Sequence, residues 1–248
     1  VALLGKALLI NWSNVLPEHR QRYFAWHDRE HMPGRLALPG FVRGRRLWAK
    51  GADRDVLKLY EVNDLDVLTG PAYTAKTANP TLSYREVGRQ ITEAVRALAR
   101  VGFSQGTALG GWMMTIRSPA ADGGGLYSAH MLRLLEQVAD LDGVVGVHAC
   151  ISDLGASSVV TADRIGRATE VPGWAILVEA IFPEALELCR ARLLSDTVLH
   201  AAGFTGPFHA GTYSLQTVMT KQDLVGGGSD VHEGLKMRRM AADGQTKA

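Results

Sequence analysis

Residues 23–48 read YFAWHDREHMPGRLALPGFVRGRRLW, and their reading decides the fold. On helical spacing Phe24, His27 and His31 fall on one stripe, with Trp26 and Glu30 beside it. Pro33 is expected to end the regular helix, because proline cannot donate to the preceding turn and the residue before it avoids the α region. Pro39 and Gly40 then turn the chain into an extended, arginine-rich segment. Two imidazoles on an otherwise aromatic helix face are the most chemically loaded feature of the chain.

Outward from this stretch, residues 6–11 form a short apolar run of strand length. Residues 42–50 and 55–62 read as a second and third strand, separated by a Gly-Ala-Asp turn. Asp64 caps a helix that Gly70 and Pro71 interrupt, helical periodicity returns over residues 84–97, and residues 100–105 supply a fourth strand. The order β-α-β-β-α-β is the split βαβ unit. It then recurs: strand 112–117, helix 126–141, strands 144–152 and 174–182, helix 183–194 and strand 209–220. A slide of 103 positions sets Leu38-Pro39-Gly40-Phe41 over Leu141-Asp142-Gly143-Val144, Phe24 over Tyr127 and His27 over His130.

One such unit leaves a sheet face apolar and uncovered. The expected architecture is therefore α+β, with two tandem ferredoxin-like (βαββαβ) repeats packed sheet to sheet as an intrachain α+β barrel. The expected division is 1–106, 107–221 and a polar tail, 222–248. Leu235, Met237 and Met240 in the tail suggest contact with a neighbouring chain, and hence a homo-oligomer.

The pattern aromatic-x-x-aromatic-His-x-x-Glu-His-x-Pro at residues 23–33, followed by Leu38-Pro39-Gly40-Phe41 and a basic strand, resembles the EthD-like families of the dimeric α+β barrel superfamily. The resemblance covers residues 5–105 well and 109–220 weakly. It implies ferredoxin-like modules whose first helix turns a histidine toward the sheet. It also implies degradative or secondary metabolism, where such folds act as lyases, isomerases, dehydratases or cofactor-free oxygenases. This fold hosts many chemistries, so the likeness bears on architecture more than on activity.

The 248 residues are 46% hydrophobic and 21% charged, ordinary for a globular protein, and a net charge of +2 argues for neither nucleic acid nor a membrane surface. Between Arg20 and Arg54, however, nine basic residues face three acids. That is either a solvated basic face or a field that attracts an anionic substrate. Cys150 and Cys189 sit in apolar runs and read as buried, reduced thiols. No run approaches the ~18 residues of a membrane span, and the apolar run at the start of the sequence is too short for a signal peptide. A cytoplasmic location is expected.

His27 is the first candidate for acid/base catalysis and His31 the second, against the alternative of a core histidine satisfied by a backbone carbonyl. His130 reads as structural, or as the mark of a degenerate second pocket. Glu61, and Glu179 at the same place in the other third strand, lie in apolar strands. Each either pairs with an arginine or holds a raised pKa. Glu61 is the third catalytic candidate. Alternation sends Arg43 and Arg45 to one face of their strand and Arg46 to the other. These arginines, with Trp12, Phe24, Trp26, Tyr60 and Tyr73, are the candidate substrate contacts. His27 to His31 also matches H-x-x-E-H, a zinc-peptidase pattern, but no third ligand is evident and no metal is expected. Walker A, G-x-S-x-G, CxxC and dinucleotide fingerprints are absent.

The expectation is a cofactor-independent acid/base enzyme acting on a small, partly apolar, possibly anionic organic molecule. The alternatives are a non-catalytic binding or assembly module and a metal-dependent hydrolase. Space beneath the first helix separates the first two.

Overall fold

The computed structural model describes residues 3–49, 52–166 and 168–226. In the first half, β1 (Ala7–Val15) leads to α1 (Arg20–Trp26), which passes through a single π turn (His27–His31) into α2 (Met32–Leu36). β2 (Phe41–Trp48), β3 (Val56–Val62), α3 (Pro71–Ala78), α4 (Leu82–Gly88) and β4 (Ile91–Gly106) follow. The second half comprises β5 (Trp112–Ser118), α5 (Ala129–Ala139), β6 (Val144–Ser152), α6 (Leu154–Ser158), β7 (Thr169–Glu170), β8 (Trp174–Ala180), α7 (Pro183–Arg192), α8 (Asp196–Ala201) and β9 (His209–Thr220), then the short α9 (Lys221–Gly226). The tail from 227 on, with its expected contact residues, lies outside the described residues.

The strands of the first half lie in the order β4-β1-β3-β2 and those of the second in the matching order β9-β5-β8-β6. Antiparallel seams between β2 and β9 and between β4 and β6 close these eight strands into a barrel, so one chain joins both pairs of sheet edges. β7 adds a short parallel pairing outside β4. No described helix is long and apolar enough to cross a membrane.

The lumen is packed by Leu8, Ile10, Trp12, Leu47, Leu57, Leu59, Ala97, Met113, Leu177 and Tyr213. A buried ionic chain crosses it. Arg43 donates to both oxygens of Glu61 (2.6 and 3.0 Å), and Arg45 Nη1 donates to Glu179 Oε2 at 2.9 Å. His148 Nε2 stands 3.3 Å from Glu179 Oε1, and the Gly110 amide donates to Oε2 at 3.0 Å. Burial pushes the Glu179 pKa upward, but the His148 hydrogen bond and the Arg45 charge outweigh it and hold the carboxyl below its ordinary range. The two equivalent glutamates thus belong to interstrand ion pairing. Cys150 and Cys189 are free and fully buried, and burial raises both thiols to about 12.

Three local expectations are corrected. Residues 91–97 are strand, not helix: β4 runs sixteen residues because residues 91–100 pair along β1 and residues 99–106 along β6, with Val95, Ala97, Leu98 and Ala99 buried. Pairing along β1, with β7 beside Ala94 and Val95, overrides the helical propensity of an Ala-, Leu- and Arg-rich segment. A bulge at Glu93 (φ 50°) sets its start. Pro33 does not end the helix. In the π turn the Met32 amide reaches back to the His27 carbonyl, so the extra residue falls before the ring and Pro33 enters the first turn of α2, where no donor is needed. His130 is not the counterpart of His27: it is exposed on α5, whose buried face is Met131, Leu135 and Val138.

Candidate functional site

The two halves share a fold and differ in what covers the outer face of the sheet. In the second half α5, α7 and α8 press Met131, Leu135, Leu186 and Leu199 onto Ile116, Ala149, Ile176 and Val178, a continuous apolar core. Strand registers align these positions with the first half. The pair Met114 and Val178 corresponds to Leu9 and Tyr60, and Ile116 and Ile176 to Asn11 and Lys58. Ala149 corresponds to Arg46, and Ala210 to Arg96. Where one half places Ile, Ile, Val, Ala and Ala, the other places Asn11, Lys58, Tyr60, Arg46 and Arg96. Lys58, Arg46 and Arg96 are all buried, at 8%, 4% and 5% exposure, under the first helix and α3. Burying charge costs free energy unless something recovers it, so this substitution of polar for apolar marks the site.

His27 projects from the π turn onto that face and is fully buried. Its Nε2 lies 3.0 Å from Tyr60 Oη and its Nδ1 3.3 Å from Arg46 Nη1. Arginine only donates, so Nδ1 accepts and the proton resides on Nε2, which donates to Tyr60. Arg46 also forks onto Asp28, whose Oδ1 is 3.6 Å from His27 Nδ1, too far for a hydrogen bond. Burial lowers the His27 pKa to about 4, with the Lys58 and Arg46 charges assisting against a compensating pull from Asp28. Burial works to raise Asp28, but His27 and Arg46 hold it below its usual value. Both His27 nitrogens are engaged, so it is no free metal ligand. Among the described residues no group of three or more His, Cys, Asp or Glu side chains is placed to hold a metal ion.

His31 differs. It is half-buried between the rings of Trp26 (centroids 4.6 Å apart) and Tyr84 (5.6 Å), with Tyr60 at 6.2 Å. No hydrogen bond engages its nitrogens among the described residues. Burial, then the charge of Arg35, keeps its pKa well below 6.5, so the ring is neutral. His31 and Tyr60 share the wall of an inner cavity of about 50 Å³ with Asn11, Arg35, Lys58 and Arg96. Burial raises the Tyr60 hydroxyl well above 10. Because its oxygen accepts from His27, its proton is left to donate into the cavity.

Of the candidate contacts, Tyr60 and Tyr73 line this cavity, and Trp26 lines a neighbouring one of about 60 Å³ that His31 also borders. Phe24 stacks under Arg46 (4.5 Å) and meets Trp48 edge-on, which fixes the arginine that fixes His27. Trp12, Arg43, Arg45 and Glu61 are elsewhere: they point into the lumen, and Trp12 donates there to Thr115 at 3.0 Å. Glu61 follows Tyr60 in β3 and therefore faces the opposite side of the sheet, away from the histidines. The site also draws on residues the sequence did not suggest: Asn11, Arg35, Lys58, Tyr84 and Arg96. Alternation along Val56–Val62 already puts Lys58 and Tyr60 on one face. Arg96 was hidden by the helical reading of its strand.

A final wall comes from the other half. Only residues 49–55 separate β2 from β3, whereas the β6–β8 link carries α6, a 3-10 turn (Ala162–Arg164) and β7, and folds back across the first half. There Arg96 donates to the Ser157 carbonyl at 3.1 Å and Arg35 to Asp163 at 3.3 Å.

No family model matches the chain, and no curated protein sequence matches it. Solved structures do. An anthrone oxidase-like protein matches with TM-score 0.57 at 12% identity, covering 89% of this chain and 96% of that one. A candidate monooxygenase from Fusobacterium nucleatum matches with TM-score 0.55 at 10% identity (88% and 96%). Another from Lactobacillus acidophilus matches with TM-score 0.53 at 11% identity (87% and 96%). At these identities the likeness speaks to the fold alone: two ferredoxin-like units joined within one chain as an α+β barrel.

Proposed function

We propose that the chain is a small-molecule enzyme whose first half performs acid/base chemistry on a partly apolar, anionic organic substrate, drawing on side chains alone. The observation that carries this reading is the replacement of an apolar core by Asn11, Lys58, Tyr60, Arg46 and Arg96 in one of two otherwise matching halves. His31, neutral and without a hydrogen-bond partner among the described residues, is the general base. Tyr60, held by His27, donates a hydrogen bond to the oxygen that gains charge as the proton leaves. His27 is a positioning residue in this scheme. Proton abstraction opens many lyase, isomerase, dehydratase and cofactor-free oxygenase reactions, and the EthD-like pattern of residues 23–33 agrees with it. Division into repeats at 1–106 and 107–221 belongs to the same reading, the second repeat serving as scaffold and lid.

The second reading is a non-catalytic module. The observation in its favour is the small space beneath the first helix, about 50 Å³, enough for water alone until residues 159–166 move.

Deuterium uptake from solvent at the acidic carbon of carboxylated aryl ketones, followed by NMR, separates the two. The wild-type protein is expected to accelerate uptake, and His31→Gln to lower the rate about 10²-fold with the fold intact. A folded protein that accelerates uptake in none of them favours the non-catalytic module.

A further inference from the structure

The inner cavity is lined by four cations, Arg35, Lys58, Arg96 and Arg164, and by a single carboxylate, Asp163. Asp163 and Arg164 belong to the β6–β8 link of the other half. Asp163 Oδ2 accepts from Arg35 Nη2 at 3.3 Å, with the two side chains 6% and 7% exposed. Arg35 Nη1 is buried without a hydrogen-bond partner among the described residues. A planar guanidinium suited to two parallel bonds with a carboxylate thus stacks on Tyr73 (4.8 Å) and makes one long hydrogen bond to Asp163.

Asp163 also stands in a wall. Together with Tyr84 it borders both the inner cavity and an outer depression of about 580 Å³, which Arg85, Arg89 and Ile165 line as well. The segment carrying it is loosely seated: Val159, Val160 and Ile165 are 56%, 70% and 75% exposed. Gly166, at φ +80° in open space, adopts a backbone conformation that suits glycine.

We propose that Arg35 is the anion subsite of this cavity, that Asp163 is its internal placeholder, and that the ligand is an aromatic carboxylate. The proposal rests on the reading above and names its substrate class. The carboxylate arrives through the outer depression past Arg85 and Arg89, displaces Asp163 and takes two bonds from Arg35. Lys58 and Arg96 supply further positive field. Its ring lies among Tyr60, Tyr73, Tyr84 and His31, which brings a carbon next to the ring under the His31 imidazole. Displacement of the placeholder opens the small inner cavity into the outer one. In the empty protein the placeholder relieves the repulsion of the clustered cations.

The test is benzoate binding by calorimetry on the full chain, with benzyl alcohol as the neutral control. Wild type is expected to bind benzoate and not the alcohol. Asp163→Asn, which no longer competes for Arg35, is expected to bind benzoate about tenfold tighter or more. Arg35→Met is expected to abolish binding. If that variant does not fold, Arg35→Lys, which keeps the charge and loses the fork, should weaken binding about tenfold. Benzoate should also speed amide exchange in residues 159–166 of the wild type. Unchanged or weaker binding by folded Asp163→Asn, no benzoate binding by either protein, equal binding of the alcohol, or slower exchange in 159–166 each overturns the proposal. Since the assay reads binding alone, intact benzoate binding without deuterium uptake would sink proton transfer and leave the subsite standing.

Discussion

His27 and His31 lie four positions apart, their rings tilted at 34° with centroids 5.6 Å apart, yet their surroundings make them different reagents. His27 is fixed by Tyr60 on one side and Arg46 on the other, whereas His31 keeps its nitrogens free beside the cavity. Both histidines were legible in the sequence as polar groups on an aromatic helix face. Their division of labour was not, since it depends on Arg46 and Tyr60, which reach the site from two other strands. The His27 shift also has a consequence for stability. Its folded pKa, about 4, lies below the unfolded 6.5. Between these values the unfolded chain binds the extra proton, so this contribution is complete above pH 6.5 and is lost as pH falls toward 4. The full span is on the order of 3 kcal/mol. Denaturant unfolding at pH 7 and pH 4.5 should therefore show a smaller acid loss in His27→Gln than in wild type, even if the variant is less stable at pH 7. Equal acid losses in the two proteins would refute a depressed His27.

At the scale of elements, the first helix and β2 approach so closely that Gly44 leaves no room for a side chain. An alanine Cβ there would sit 2.9 Å from Met32 Cγ and 3.1 Å from Tyr60 Cε1. Gly44→Ala should cost about 1–3 kcal/mol through overpacking and push Tyr60 off His27, so deuterium uptake should fall further than stability explains. Uptake at the wild-type rate in folded Gly44→Ala would show that the Tyr60 geometry is dispensable. Sequence patterning located most elements, and the strand over His209–Thr220 was read to the residue. It failed where tertiary structure overrules local preference. The π turn absorbs Pro33, and pairing along β1 makes a strand of the Ala- and Arg-rich start of β4. The second failure removed Arg96 from view and with it part of the cation cluster.

Across the whole molecule, the barrel spends its interior on structure and its outer faces on different tasks. The order of elements and the correspondence of Glu61 with Glu179 were readable from one half laid on the other. The contrast between outer faces was not, because it appears only when strand registers align Lys58 with Ile176 and Tyr60 with Val178. Glu61 and Glu179 are ion-paired in the lumen, and in the proposed scheme they take no part in proton transfer. Glu179→Gln leaves part of the Arg45 charge uncompensated and should destabilise by about 3–5 kcal/mol, the scale for breaking a buried ion pair. In the folded fraction, deuterium uptake should continue at the wild-type rate. Thermal denaturation paired with uptake per folded molecule checks this, and a stable Glu179→Gln protein with lost uptake would move the chemistry into the barrel.

The central claim is that a neutral, unpartnered imidazole at His31 stands beside a His27 locked by Arg46 and Tyr60. Nitrogen-15 NMR titration of the imidazoles tests it without any substrate. The account predicts that both rings are neutral at pH 7, that His27 carries its proton on Nε2 and titrates near 4, and that His31 titrates well below 6.5. A His31 that is cationic at pH 7, or a His27 protonated on Nδ1, would contradict it.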